Sequence, residues 1–399
     1  MKLKIKNTLS RSSYPLLLVI VALGFAILGA HLIIASHAAT PYASTTAVSG
    51  SLASPATITT DSSASSGKSV TFGGLHPVQG VYNGNDPGGA TWTDPDEFNT
   101  WLGSAATTGA QVYGDYNSAG WLLPQLSTWV NAEPNRIDEI SLDMFPGSMN
   151  LSAPDVSSAD AAADATALAN GAAGDYNSNW KAFAQSLVND NLADSIIRPG
   201  WECNGTYFSW SASGNEANYA EYFRQIVTSM RSVAPKLTFD WNCGAGTFSD
   251  GQAVSTAYPG DQYVTYIGDD PYDDSYAVYP TSGTITTAMQ QSAWQEYISS
   301  TNGLGAISSF AAAHNKYVLL GEWGLWDEGV HHGGGDDPYY IQQMYTYINT
   351  PSNRVAAAFY FNNNGGSGYN NQINSGTFSN SATLFQQLFG KEAAGSLPD

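Results

Sequence analysis

The sequence predicts a parallel α/β fold closed as a (β/α)8 TIM barrel, and three observations lead there. Short apolar runs rich in β-branched residues alternate with amphipathic segments, the pattern of a parallel sheet covered by helices rather than of a sandwich. The alternation repeats eight times over roughly 320 residues, which suits a barrel with long loops. Two of the runs end in glutamates, Glu202 and Glu322, and strand C-terminal ends are where a barrel carries its functional groups. A doubly wound open sheet is the competing architecture, because order along the chain does not establish closure.

Ahead of the barrel, residues 1–39 join a basic segment (Lys2, Lys4, Lys6, Arg11) to an apolar run from Pro15 to Ile34. Small residues follow in Ala35-Ser36-His37-Ala38-Ala39, where a peptidase can cut after Ala38. The run, about 20 residues long, can span a bilayer. A cleaved signal peptide and an uncleaved anchor, a membrane tether through residues 15–34, are therefore both open. Either puts the bulk of the chain outside the cytoplasm, extracellular or anchored at the cell surface, because the positive residues precede the apolar run. Residues 40–68 are Ser, Thr, Ala and Gly with almost no large apolar side chains, and they read as a disordered linker. The barrel domain is expected over 69–392 and a short tail over 393–399.

The first strand is expected at Val78 to Tyr82, then a helix from about Asp94 with Thr93 or Asp94 as its cap. Val112 to Tyr116 and Ile137 to Phe145 are the next strands, separated by a helix around Leu122 to Val130. The Ala-rich stretch Ser158 to Asn170 and the segment Trp180 to Val188 are helical, and the fourth strand begins near Ser195. A helix from Asn215 to Val233 leads to strands at Leu237 to Asn242 and Tyr263 to Asp270. After a helical region ending near His314 come a strand at Tyr317 to Trp323, a helix at Tyr339 to Ile348, a strand at Val355 to Phe361 and a closing helix at Ala382 to Leu388.

Composition narrows the chemistry. With 43% hydrophobic residues in 399, the core is ample, and a formal charge of −20 repels phosphate backbones, so no nucleic-acid partner is expected. Neutral polymers or small neutral ligands fit better. Cys203 and Cys243 can pair in an oxidising compartment or remain two buried thiols. His76, His314, His331 and His332 lack metal-ligand spacing, and the adjacent pair sits in a Gly-rich loop that suits solvent. Asp269-Asp270 with Asp273-Asp274, and Asp336-Asp337, offer oxygen ligands for calcium but lack the Gly turn and terminal Glu of a calcium loop, so they read as solvated loops. No Gly-x-Ser-x-Gly elbow, P-loop or dinucleotide fingerprint is present, and no cofactor is expected.

The stretch Ile196 to Trp210, IIRPGWECNGTYFSW, carries the strongest chemical signal: a buried strand runs into a glutamate among Trp201, Tyr207, Phe208 and Trp210. Low-dielectric neighbours raise a carboxyl pKa towards what a general acid needs, and aromatic faces suit sugar rings. Strand period puts Arg198, Gly200 and Glu202 on one face, Leu320 with Glu322 on another, Asp270 with Tyr272, and Asp240 with Asn242. With those faces inward, the two glutamates look at each other across the barrel mouth, the minimum equipment for glycoside hydrolysis. The blander readings stand beside these: Arg198 as a buried charge that compensates Asp240 or Asp270, Tyr272 as a core tyrosine, each tryptophan as core.

The stretches IIRPGWECNGTYFSW, YPGDQYVTYIGDDPYDD and VLLGEWG, with DYNSNWKAFAQSL before the fourth strand, resemble glycoside hydrolase family 26 in order and spacing, over roughly residues 70 to 390. This family of β-mannanases and related endo-acting β-glycanases uses catalytic glutamates on strands four and seven of a (β/α)8 barrel. The resemblance implies Glu202 as acid/base, Glu322 as nucleophile, Tyr272 hydrogen-bonded to the nucleophile, Arg198 as a source of positive potential, and a retaining mechanism. Trp201, Asn204, Trp210, Trp241, Trp323, Trp326, Tyr360 and Phe361 are the expected substrate contacts. The substrate implied is a β-linked polysaccharide, β-mannan first and β-glucan or β-1,3-xylan next, met by a monomer. One departure bears on the sugar: the family's usual His before the acid/base is here Trp201, which donates a hydrogen bond but accepts none. That change motivates the rival class, a carbohydrate-binding protein that kept the groove and lost turnover.

Overall fold

A computed structural model describes residues 56–60, 68–72, 76–86, 91–114, 119–145, 158–327, 332–366 and 369–398. The expected signal or anchor segment and most of the expected linker lie outside them. No helix among the described residues is long and apolar enough to cross a membrane. The chain divides into two units, residues 1–73 and 74–399. In the first, Ala56–Thr60 pairs antiparallel with Lys68–Phe72, so part of the stretch read as linker has strand backbone.

The second unit is a closed barrel of eight parallel strands. They are β1 (Val78–Tyr82), β2 (Gly109–Gly114), β3 (Ile137–Leu142), β4 (Ile196–Pro199), β5 (Thr238–Asn242), β6 (Tyr266–Asp269), β7 (Tyr317–Trp323) and β8 (Val355–Phe361). Each pairs with the next and β8 closes on β1, where Phe359 faces Gly80, which excludes the open sheet. Sequence and structure agree on the extent of β1, β7 and β8. The second strand starts three residues earlier than expected and stops at Gly114, because Gly109 and Ala110 pair with β1 although neither has β propensity. Outside lie α1 (Pro95–Leu102), α2 (Ala119–Val130), α3 (Ser158–Ala173), α4 (Asn177–Asn189), α5 (Glu216–Arg231), α6 (Thr287–Ser299), α7 (Leu304–Ala313), α8 (Pro338–Ile348) and α9 (Ser379–Leu388). Asp94, one of the two caps expected for the first helix, accepts from the backbone N–H of Asp96 at 2.9 Å.

The barrel interior is layered by strand period. Val78, Ile196, Tyr266, Leu319, Ala357 and Phe359 form an apolar floor. Above it, inward positions turn polar: Gln111, Glu139, Ser141, Arg198 and Asp240 are all buried. The floor depends on close approach at Gly80, since a Cβ there would run into the ring of Phe359. The last described residues return beneath this floor: Ser396 donates its N–H to His76 O at 3.2 Å, and Leu397 packs against the floor cluster.

Strict alternation fails on β7. The sequence puts Leu320 and Glu322 on one face, yet Leu319 joins the floor while Leu320 sits in the outer core with Val318 and Trp323. The register with β8 shifts between Leu320 and Trp323, a bulge that re-aims Glu322 into the barrel. The acidic loops also differ from the solvated loops expected. Asp273 is buried and accepts from the Tyr279 hydroxyl at 2.9 Å, Asp337 is buried and caps α8 through Tyr340 N–H at 3.0 Å, and Asp336 accepts from Ser381 N–H at 2.8 Å. They are acceptors that loops and helix ends need. His331 falls outside the described residues, and His332 is half-buried with Nδ1 against Tyr279 O.

Gly80→Ala should destabilise the fold by about 1–3 kcal/mol in urea unfolding, because the floor is already full. Adding Phe359→Leu should restore part of that loss.

Candidate active site

The loop after β4 brings Glu202 over the barrel mouth through two left-handed residues, Gly200 at φ 61° and Glu202 itself at φ 46°. A Cβ at Gly200 would collide with Met144, so glycine is required by backbone and by space. A left-handed glutamate costs of order 1–3 kcal/mol and persists only where its surroundings impose it. Here they do. Gly200 N–H donates to Leu142 O at 2.9 Å, Glu202 N–H to Asn242 Oδ1 at 2.8 Å, and Cys203 N–H to Asn242 O at 3.2 Å. Cys203 and Cys243 are joined as a disulfide with Cα atoms 4.6 Å apart, which settles the choice the sequence left open and ties the loops after β4 and β5 together.

Glu322 enters from β7. Its Oε1 accepts from Arg198 Nη2 at 2.7 Å and from the Tyr113 hydroxyl, and its Oε2 from the Tyr272 hydroxyl. Arg198 is fully buried and meets three carboxylates: Glu139 at 3.1 Å, Asp270 through Nη1 at 2.9 and 2.8 Å, and Glu322. Asn242 Nδ2 donates to Asp270 Oδ1 at 2.8 Å, and Glu322 N–H donates to the same oxygen at 3.0 Å. Arg198 is therefore both the compensating charge and the neighbour of Glu322, and the two readings of it merge.

Burial pushes the Glu202 carboxyl up to about 7, with the Glu322 charge adding to it and the Tyr207 hydroxyl and Arg198 opposing. Burial likewise raises Glu139 to about 7 against the pull of Arg198. Asp240 is buried with neither carboxyl oxygen hydrogen-bonded among the described residues, and burial holds it well above the usual carboxylate range. Glu202, Asp270 and Glu322 each offer one oxygen within 4.8 Å of the others, a spacing a cation accepts. The donors around them fit a metal poorly, because Asp270 is gripped by Arg198 and both Glu322 oxygens already accept hydrogen bonds.

These groups open into a cleft of about 950 Å3 lined by Glu202, Asn204, Tyr207, Asn242, Asp269, Tyr272, Asp274, Tyr276, Glu322, Trp326, Phe361, Asn363 and Asn371, among others. Of the contacts expected from sequence, Asn204, Tyr272, Trp326 and Phe361 line it. Trp201 and Trp210 stand behind it: their rings pack 4.6 Å apart, Trp210 Nε1 donates to Trp201 O at 2.7 Å, and Trp201 meets Tyr113 edge-on at 5.2 Å.

Trp241, Trp323 and Tyr360 are not brought to the cleft. They are buried in the outer core. Trp241 packs on Phe310 at 5.8 Å, Trp323 on Phe385 at 5.9 Å and Tyr360 on Phe385 at 5.3 Å. Their strand neighbours Asn242, Glu322 and Phe361 point inward, so these three point to the helices. Tyr113, Glu139 and Ser141 are parts of the site that sequence reasoning missed. The available signal was the shared face of Tyr113 with Gln111, and of Glu139 with Ser141, on strands ending at the same mouth.

Residues 171–327 match the model of glycosyl hydrolase family 26. Over 159 residues, 38% of this chain, the sequence is 28% identical to a mannan endo-1,4-beta-mannosidase of Bifidobacterium adolescentis, and the match spans 15% of that relative's length. The fold is similar to a modular endo-β-1,4-mannanase from Cellulomonas fimi at 17% identity, covering 81% of this chain and 72% of that one with a TM-score of 0.56. It is also similar to the catalytic domain of a Bacillus sp. GH26 endo-β-1,4-mannanase at 16% identity, covering 79% and 86% with a TM-score of 0.51. The resemblance to glycoside hydrolase family 26 read from the sequence is thus met by the family model, a curated relative and the barrel.

Arg198→Met should cost about 3–5 kcal/mol in urea unfolding, because Glu139, Asp270 and Glu322 lose a shared buried counter-charge. The deficit should be larger at pH 8 than at pH 5. Without the guanidinium, burial holds the folded Glu139 and Asp270 carboxyls above their unfolded values, so the variant loses stability as pH rises from the unfolded towards the folded values.

Proposed function

We propose that this chain is a retaining endo-β-glycanase of the glycoside hydrolase family 26 type, acting first on β-mannan, with Glu202 as acid/base and Glu322 as nucleophile. The observation that carries this reading is the pair itself: oxygens of Glu202 and Glu322 within 4.8 Å, one carboxyl raised to about 7 and the other held by an arginine and two tyrosines. Retaining enzymes place the two carboxyls about 5–5.5 Å apart, whereas inverting enzymes need about 6.5–9.5 Å to fit a water. The separation favours a nucleophile over a water-activating base.

In the first step Glu202 gives its proton to the glycosidic oxygen as the C–O bond breaks, and a Glu322 oxygen bonds the anomeric carbon. In the second, Glu202 as carboxylate takes a proton from water, the water oxygen bonds that carbon, and Glu322 departs. Arg198, Tyr113 and Tyr272 fix the Glu322 oxygens for attack. β-Mannan is chosen on the relatives' named activity, and β-glucan and β-1,3-xylan are the other substrates to set beside it. Export, with either release or tethering at the cell surface, belongs to the same proposal, since such polymers lie outside cells; the mass of the mature N-terminus distinguishes the two.

Reducing-end release from mannan, mixed-linkage glucan and β-1,3-xylan is the decisive assay. Release from mannan supports the proposal, and tight binding with no release from any polymer would favour a carbohydrate-binding protein instead. Glu322→Ala should abolish turnover, and Glu202→Ala should lower kcat/KM on natural polymer by about 10²–10⁴ while sparing substrates whose leaving group needs no proton.

A further inference from the structure

Among the described residues, the only hydrogen bond to the Glu202 carboxyl comes from Tyr207, whose hydroxyl donates to Oε2 at 2.6 Å. Tyr207 is 57% exposed and lines the cleft, five residues along the same loop. Its ring is nevertheless anchored: it packs on Phe208 at 4.8 Å, and Phe208 stacks on Trp210 at 4.6 Å and 12°. We propose that Tyr207 is a positioning residue for Glu202: its hydroxyl reserves Oε2, leaving Oε1 as the oxygen that carries the proton to the departing group. This rests on the reading of Glu202 as the acid.

The argument is one of donors and acceptors. A hydroxyl that donates needs an acceptor, so Oε2 is the unprotonated oxygen of the neutral acid and the proton sits on Oε1. As that proton moves to the glycosidic oxygen, Glu202 becomes a carboxylate and the hydrogen bond becomes charge-assisted, hence shorter and stronger. Tyr207 keeps its own proton throughout, since partial desolvation of its hydroxyl against the cleft wall and the adjacent Glu202 charge raise the phenol. The groups facing Glu202 from other elements are Glu322 of β7, Asp269 and Asp270 at the end of β6 and Arg198 of β4. Against that mostly acidic set, Tyr207 and Arg198 are the contacts that favour the ionised form.

The test is Tyr207→Phe, which keeps the ring and removes the donor. The Glu202 carboxyl is followed by NMR of protein labelled with carboxyl-13C glutamate, with Glu202→Gln identifying its signal. From about 7, the midpoint should rise by roughly one unit, equivalent to a tenfold change. On natural polymer kcat should fall about tenfold with KM unchanged, and the basic limb of kcat/KM should move to higher pH. A KM change without a kcat change would mark Tyr207 as a sugar platform only and overturn the proposal. The titration needs no turnover, so the two readings fail separately. An active chain with an unmoved midpoint overturns the role of Tyr207 alone, whereas a chain silent on every polymer overturns the reading of the site.

Discussion

The site depends on one guanidinium. Arg198 is the only cationic side chain among the buried residues of the described barrel, and it serves Glu139, Asp270 and Glu322 at once. An isolated buried charge is prohibitively costly, so the arginine and its carboxylates are present together or not at all. Their arrangement also does geometric work. Asp270 is clamped bidentately, which fixes an oxygen that accepts from Glu322 N–H and Asn242 Nδ2, and Asn242 in turn accepts from Glu202 N–H. The two glutamates are therefore aligned through backbone donors as well as side chains, by a network that begins at Arg198.

Much of this was legible in the sequence because period-2 alternation is a local rule. It put Arg198 inward and Asp240 with Asn242 inward, and the barrel places them so, whereas Glu202 reaches the mouth through the left-handed turn after β4 rather than by alternation. The same rule, applied to the aromatics, would have removed Trp241, Trp323 and Tyr360 from the cleft, since each neighbours an inward residue on its own strand. What alternation misses is its own interruption. The bulge on β7 leaves no mark in the residues Leu320 to Trp323, because it arises from a register shift against β8. For Tyr113 the face it shares with Gln111 was readable but its partner was not: Glu322 lies more than 200 residues away, and only barrel closure brings the two together.

The acidic loops show the converse limit. Runs of aspartate read as solvated by composition, yet Asp273, Asp336 and Asp337 satisfy tyrosine hydroxyls and helix N-termini in the loops after β6 and β7. Those loops carry Tyr272 and Trp326, so acceptors that look like surface charge hold up one side of the cleft. Composition fixes the kind of partner a residue prefers; whether solvent or protein provides it is settled by the fold.

The buried setting of Arg198 has a consequence for the medium in which the site works. At ordinary salt, counter-ions largely screen exposed charges that lie more than about 10 Å apart, but they screen enclosed pairs much less. Surface charges are open to that screening, while Arg198 and Glu139 lie beneath the cleft and Asp270 and Glu322 are nearly enclosed at its floor. The ion pairs that hold Asp270 and Glu322 accordingly respond to added salt less than pairs on the surface do.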